Sequence, residues 1–159
     1  MKQLKILSFL CLPFLLSFIT PDRKQKTGEE SPVQDTIRTI RAFLGHSDRD
    51  GGQITKPVFD SLLKQGLTAR DSFGGAYPVD GFTFSYAERN LYEDSLGKLV
   101  LMTDFYTEYC PGDRVSPAIA NNLYDRTKAG DTAYFDNVKV KLRDGGQMIT
   151  KPLKFILVK

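Results

Sequence analysis

Alternation of hydrophobic and polar residues is the clearest pattern in this chain. Within residues 79–86, Phe82, Phe84 and Tyr86 alternate with small polar residues, which predicts a strand with one aromatic face and one wet face. Packing into a core is the better interpretation of the aromatic face, because such faces usually point inward. The alternative is an exposed aromatic patch.

Further strands follow from the same reasoning. They are predicted in residues 36–44, 99–106, 134–142 and 153–158. In the third of these, Val138, Val140 and Leu142 are expected to face inward, and Asp144-Gly145-Gly146 predicts the hairpin turn after it. Residues 153–158 form a continuous apolar run, which predicts a strand buried on both faces.

Two short helices interrupt the strands. Thr55-Lys56-Pro57 predicts the start of one that runs to Lys64 and stops at Gly66. Its apolar stripe would comprise Val58, Phe59, Leu62 and Leu63. Ser116-Pro117 predicts the start of the second, with Lys128 in its last turn. Its apolar side would hold Ile119, Leu123 and Tyr124. The fold class predicted for residues 35–159 is therefore mainly β, a compact antiparallel β-sandwich-like domain with one or two short helices.

The first twenty residues have the pattern of a secretory signal. Lys2 and Lys5 precede an apolar run over residues 6–19, which is shorter than the about 20 apolar residues of a transmembrane helix. Because no A-x-A pattern marks a cleavage site, residues 1–20 are predicted to be a signal peptide or an uncleaved N-terminal anchor. Residues 21–34 are polar and predict a flexible leader. The protein is thus expected to be exported.

The charge of the exported part argues against nucleic acid as a partner. The whole chain has 22 basic and 19 acidic residues, and residues 1–20 contain two lysines and no acid. Removing them leaves 20 basic and 19 acidic residues. A nearly neutral domain has no electrostatic reason to bind nucleic acid, and it would meet a membrane only through its N-terminal segment.

Candidate catalytic and metal-binding residues are few. His46 is the single histidine, which excludes zinc sites built on paired histidines. Asp48-Arg49-Asp50-Gly51-Gly52 lacks the later oxygen ligands of a calcium loop, so a turn is the better interpretation. Cys110, placed in a predicted loop, could act with His46 as nucleophile and base, but neither lies in a recognisable motif. The sequence therefore predicts no catalytic, cofactor-binding or metal-binding residues and no cofactor, with a Cys110/His46 enzyme kept as an alternative.

One short sequence occurs twice. Residues 49–57 (RDGGQITKP) return as residues 143–152 (RDGGQMITKP). Two convergent glycine-rich turns are the preferred interpretation, because turn chemistry has few solutions, and duplicated halves are the alternative.

The chain resembles a known family in its final third and in several upstream segments. The segment KAGDTAYFDNVKV (residues 128–140), the Asp144-Gly145 turn and PLKFILVK (residues 152–159) are similar to the end of the GldM family of gliding-motility proteins. Upstream segments appear in the order of that family's last periplasmic domain. They are IRAFLG (40–45), GGQI (51–54), GLTAR (66–70) with Phe73, and VDGFTFS (79–85). The resemblance covers residues 36–159.

This resemblance implies a location and a role. GldM proteins form a periplasmic shaft of the type IX secretion and gliding machinery of Bacteroidetes, and their last domain meets an outer-membrane-associated ring. Here the family's transmembrane helix and preceding periplasmic domains have no counterpart, so the resemblance implies a stand-alone, periplasmic or outer-membrane-associated protein-binding module. Its expected partners are envelope proteins, such as ring components of the secretion machinery, or a second copy. A secreted small-ligand-binding protein is the other alternative.

Overall fold

Residues 39–159 are described by the structure, a computed structural model. The predicted signal or anchor segment, the leader and the first part of the predicted strand 36–44 lie outside these residues. The described part of the chain forms nine strands and two helices. In chain order they are β1 (Arg41–Leu44), β2 (Gly52–Thr55), α1 (Lys56–Gln65), β3 (Leu67–Arg70), β4 (Ala76–Tyr77), β5 (Val79–Glu93), β6 (Leu99–Pro111), α2 (Pro117–Arg126), β7 (Thr132–Lys141), β8 (Gln147–Ile149) and β9 (Leu153–Val158).

The strands form two sheets. The larger sheet has the order β2-β9-β7-β5-β6, with β8 pairing to the far end of β7, and the smaller sheet has the order β1-β3-β4. All strand pairs are antiparallel except β2 with β9, which is parallel. The fold is mainly β, as the sequence predicted.

One continuous core joins the smaller sheet and both helices to one face of the larger sheet. It contains Leu44 of β1, Phe59 of α1 and Ile119 of α2 together with most buried side chains of β5, β7 and β9. A second, smaller cluster comprises Ile40, Ala69, Tyr77 and Val140. Phe82, Phe84 and Tyr86 all lie in the larger core, which confirms their predicted inward packing. We call the face that they share the inner face of the larger sheet.

Local signals position both helices. Thr55 stands at the N-cap of α1 with a proline in the first turn, and Gly66 ends the helix at φ 84°. Ser116 caps α2 by accepting a hydrogen bond from the backbone N–H of Ile119. The helix ends at Arg126, so Lys128 lies beyond it and the prediction that Lys128 belongs to its last turn is wrong. Val58, predicted to join the apolar stripe of α1, is exposed.

Strand β7 changes its inward register at a bulge. Ala133 and Phe135 are buried, and then Val138 and Val140 are buried, so one extra residue lies between the two pairs. Asn137 has φ 51° at this point, and the pairing of β7 with β5 shifts there. The bulge lets both halves of β7 turn their apolar side chains inward.

The last strand corrects one prediction. Along β9, Leu153, Phe155 and Leu157 are buried, whereas Lys154 and Ile156 are exposed. The strand is therefore covered on the inner face only, although its sequence is apolar nearly throughout. The reason is that the two helices and the smaller sheet pack on one face of the larger sheet.

The two copies of the repeated sequence adopt different structures. After Gly51 the first copy forms β2, which pairs with β9, and then enters α1. The second copy forms the Asp144–Gly146 turn and β8, which pairs with β7. A helix follows one copy and a strand follows the other, as expected.

Candidate protein-binding surface

The hairpin of β5 and β6 is much longer than the sequence pattern indicated. The predicted strands end at residues 86 and 106, but the pairing runs continuously from Gly81 opposite Pro111 to Glu93 opposite Leu99. Beyond Tyr86 the hairpin leaves the hydrophobic core. We call residues 89–103 the distal hairpin.

Exposed hydrophobic side chains are concentrated on this hairpin. Ten of the fourteen large hydrophobic side chains that are exposed within residues 39–159 lie between residues 91 and 109. They are Leu91, Tyr92, Leu96, Leu99, Val100, Leu101, Met102, Phe105, Tyr106 and Tyr109. Single exposed hydrophobic residues are ordinary, whereas a cluster of this kind is a candidate for an interaction surface.

Both faces of β6 contribute to this cluster. Residues opposite each other in an antiparallel pair share a face, so the inner face continues from Phe82 and Tyr86 to the even-numbered residues of β6. Val100, Met102 and Tyr106 therefore extend the inner face, and Leu101 and Phe105 lie on the outer face. The exposed hydrophobic side chains of β6 thus lie on both faces of the strand.

The open side of β6 carries unpaired backbone groups. β6 is the end strand of the larger sheet in the described part of the chain. The backbone N–H of Asp94 bonds to the carbonyl of Lys98, and that of Gly112 bonds to the carbonyl of Asp80, each at 2.9 Å. These two bonds set the alternation of the ladder, so the even-numbered residues of β6 bond to β5. The N–H and C=O groups of the odd-numbered residues from Leu99 to Tyr109 point to the open side.

A cleft lies beside this edge, between β6 and α2. Its volume is about 260 Å³. It is lined by Tyr86, Glu88, Asp104, Phe105, Tyr106, Ile119, Asn122, Leu123 and Arg126. Most cavities that hold a small ligand have volumes of about 300–1,000 Å³, and this cleft lies just below that range. It is large enough for a side chain of a bound protein segment.

Charged groups at the mouth of the cleft form ion pairs and hydrogen bonds with one another. Arg126 donates a hydrogen bond to Glu88, and Lys128 Nζ donates to Glu88 Oε1 at 3.1 Å and to Asn90 Oδ1 at 2.7 Å. Burial alone would raise the pKa of Glu88, but its hydrogen bonds and ion pairs with Lys128 and Arg126 outweigh burial and lower the pKa. Glu88 therefore stays ionised, and α2 is tied to the hairpin.

A second carboxylate stabilises the distal hairpin. Asp104 accepts hydrogen bonds from the Tyr92 hydroxyl and from Asn90 Nδ2, the latter at 2.8 Å. These bonds lower the pKa of Asp104, with the bond from Tyr92 contributing most. Since they link β5 to β6, the hairpin keeps its shape outside the core.

The alternative catalytic pair finds no support in the geometry. Cys110 was predicted to lie in a loop, but it belongs to β6 opposite Phe82 and is 1% exposed. Burial raises the pKa of its thiol, which disfavours the reactive thiolate. His46 lies on an exposed loop, where its backbone N–H bonds to the Gln65 side chain at 2.9 Å. No hydrogen bond described among residues 39–159 joins Cys110 to His46.

Because Cys110 is buried, its thiol is expected to react slowly. The chain has two cysteines, Cys11 and Cys110, so a Cys11→Ser variant leaves Cys110 as the single thiol. In this variant Cys110 is expected to react with an aromatic disulfide reagent at least about 100-fold more slowly in the native protein than in denaturant, because reaction requires local opening. Absorbance of the released thiolate measures both rates. Equal rates would show that the thiol is accessible and would restore Cys110 as a candidate nucleophile.

Both carboxylates of the turn predicted over residues 48–52 form ion pairs. Asp48 lies 2.8 Å from Arg70, and Asp50 lies 3.7 Å from Arg41. Among the residues that the structure describes, no group of three or more His, Cys, Asp or Glu side chains is placed to hold a metal ion.

None of the helices formed by residues 39–159 is long and apolar enough to cross a bilayer.

Sequence reasoning proposed no interface residues, and the hairpin cluster was missed. Its signal was the run LVLM over residues 99–102, which lacks the alternation of a half-buried strand. An apolar run of this kind also fits a strand buried on both faces, so the pattern alone does not separate the two.

Comparisons with known proteins assign no family to the chain. No protein-family model matches it, and no curated protein is significantly similar to it.

Proposed function

We propose that this protein is a non-enzymatic protein-binding module of the bacterial cell envelope. The observation that carries the proposal is the open, apolar edge strand β6. An extended segment of a partner would add to the larger sheet along β6 and bond to the odd-numbered residues between Leu99 and Tyr109. Main-chain bonds would supply affinity, and side-chain pockets would supply specificity.

The cleft beside β6 fits such a mode of binding. Alternate side chains of an added strand lie on the inner face, where the cleft opens between β6 and α2. Its walls combine Tyr86, Ile119 and Leu123 with the ion pair of Glu88 and Arg126. A hydrophobic side chain with a polar neighbour would suit these walls.

The envelope location rests on the sequence. Residues 1–20 have the pattern of a signal or anchor, and the resemblance to the last periplasmic domain of the GldM family points to the same compartment. Secretion-machinery ring components are the expected partners by that resemblance. Fractionation of cells should recover the protein with the envelope, and recovery in the cytosol would contradict the location.

Site-specific photo-crosslinking in intact cells tests the binding mode. A benzoylphenylalanine at position 105 is expected to form defined adducts with an envelope protein, either another protein or a second copy of this chain, since Phe105 is 70% exposed on β6. The same amino acid at position 73 is the matched control, because Phe73 is 69% exposed outside the hairpin. Equal adducts at the two positions would contradict binding through β6.

A proline substitution separates strand addition from simple apolar contact. In Thr103→Pro, the lost N–H points to the open side, so the bonds to β5 remain while pairing with a partner strand is blocked. Adducts from position 105 are expected to fall at least about tenfold, whereas Thr103→Ala should retain them. Unchanged adducts in Thr103→Pro, with thermal unfolding like that of the parent, would rule out strand addition.

A further inference from the structure

We infer that the strand received by β6 is β6 of a second copy, paired antiparallel about a two-fold axis at Thr103. This inference rests on the proposed function and identifies which strand binds to the open edge of β6. It makes the two larger sheets continuous across a symmetric dimer.

Symmetry limits the possible pairings to a few. When a two-fold axis relates two antiparallel strands, the axis lies midway between one residue and the same residue of the second copy. Residues directly opposite each other then point to the same face of the sheet. The odd-numbered residues of both copies then meet across the new ladder, and their open N–H and C=O groups pair. Each choice of central residue predicts a different set of neighbours.

Charge favours Thr103 as the centre. This centre places Lys98, which directly precedes β6, opposite Glu108 of the second copy, and symmetry forms the pair twice. An axis at Leu101 would instead bring Lys98 opposite Asp104, whose carboxylate already accepts hydrogen bonds from Tyr92 and Asn90. Neither Lys98 nor Glu108 makes an ion pair within residues 39–159, and Glu108 only accepts a hydrogen bond from the Tyr106 hydroxyl. An axis at Asp104 would oppose two aspartates, and an axis at Tyr106 would place Asp104 opposite Glu108. Like charges directly opposite each other are destabilising.

The same register covers the exposed hydrophobic residues. On the outer face, Leu101 lies opposite Phe105 of the second copy. On the inner face, Val100 lies opposite Tyr106 of the second copy, which is a wall of the cleft beside α2. Aliphatic–aromatic pairs of this kind stabilise antiparallel ladders. The register therefore brings the apolar side chains of one copy to the cleft of the other.

Cysteine scanning tests the register on the full chain with Cys11→Ser as background. Opposed residues of a hydrogen-bonded pair have Cα atoms about 5.5 Å apart, which permits a disulfide. Thr103→Cys is expected to give a covalent dimer on mild oxidation. Thr107→Cys is the matched control, because the two copies of residue 107 would lie about 26 Å apart. A dimer formed by the control and not by Thr103→Cys would overturn the register.

Charge exchange and oligomeric state give independent readouts. Lys98→Glu and Glu108→Lys should each weaken the dimer about tenfold in sedimentation equilibrium, and the double exchange should restore it. Thr103→Pro should be monomeric and Thr103→Ala dimeric, which separates edge pairing from association through residues 1–20.

The outcomes distinguish this inference from the proposed function. A chain that stays monomeric at about 100 µM and does not cross-link through Thr103→Cys would overturn the inference. If photo-crosslinks from position 105 to other envelope proteins persisted in that case, the proposed function would stand. If both were absent, both would fail.

Discussion

Replacing Phe135 with alanine is expected to lower the free energy of unfolding by about 4 kcal/mol. Phe135 is fully buried, and its ring centroid lies 5.7, 5.2 and 6.1 Å from those of Phe82, Phe84 and Phe155. These four rings join β5, β7 and β9. Truncation would remove the central ring and leave a cavity that the paired strands cannot close.

Chemical denaturation followed by circular dichroism measures this loss. Phe73→Ala removes the same atoms from a side chain that is 69% exposed, so it should change the free energy of unfolding by less than about 1 kcal/mol. Similar losses in the two variants would show that Phe135 is not the centre of the core.

The helices and the inner face of β5 could be predicted because their signals are local. Ser116 and Pro117 mark the start of α2, and Gly66 marks the end of α1, by the backbone conformation that each residue favours. The alternation of Phe82, Phe84 and Tyr86 identifies the inner face because a strand has a period of two. Neither argument needs knowledge of distant parts of the chain.

Features that depend on the number of layers could not be predicted. The apolar run of β9 is compatible with burial on one face or on two, and only the position of both helices and the smaller sheet on one side exposes Ile156. The bulge at Asn137 was hidden for a related reason. The bulge changes which residues of β7 point inward, and it can be recognised only from the pairing of β7 with β5.

The proposed binding edge was missed because strand patterns identify surfaces that are buried within one chain. Beyond Glu88 the hairpin continues without covering a core, so residues 99–103 of β6 are all exposed and show no inward face to detect. In our proposal, the apolar residues 99–102 are covered by a strand of another protein chain. An apolar run in a sequence indicates that the residues are suited to burial, but it does not indicate which chain buries them.

The motif that carries the family resemblance has a structural role that explains its residue types. In the segment KAGDTAY, Asp131 is fully buried and accepts three hydrogen bonds. They come from the Tyr86 hydroxyl at 2.6 Å and the backbone N–H groups of Arg89 and Lys128 at 2.9 and 3.0 Å. Gly130, at φ 99°, donates its N–H to the carbonyl of Leu157. The carboxylate thus links the segment after α2 to β5, and backbone bonds of Gly130 and Asp131 link the same turn to β9.

Asp131→Ala is therefore expected to lower the free energy of unfolding by about 3 kcal/mol or more, because three donors lose their acceptor in a buried site. Tyr86→Phe removes one of the three donors and should cost about 1–2 kcal/mol. Burial, followed by the hydrogen bond to Asp131, raises the pKa of Tyr86, so the hydroxyl remains a donor throughout the usual pH range.

A double-mutant cycle checks that the loss comes from these bonds. Once Asp131 is alanine, Tyr86→Phe removes a hydroxyl that no longer has its acceptor, so the second substitution should cost less than it does in the parent. Urea denaturation of the four proteins gives the coupling energy. Strict additivity would mean that the Tyr86 hydroxyl finds another partner, and the carboxylate would then not be what connects the turn to β5. A combined loss smaller than the sum of the two single losses would show that Asp131 stabilises the larger sheet through this bond. Asp131 would then affect the proposed binding edge only by stabilising the fold that carries β6.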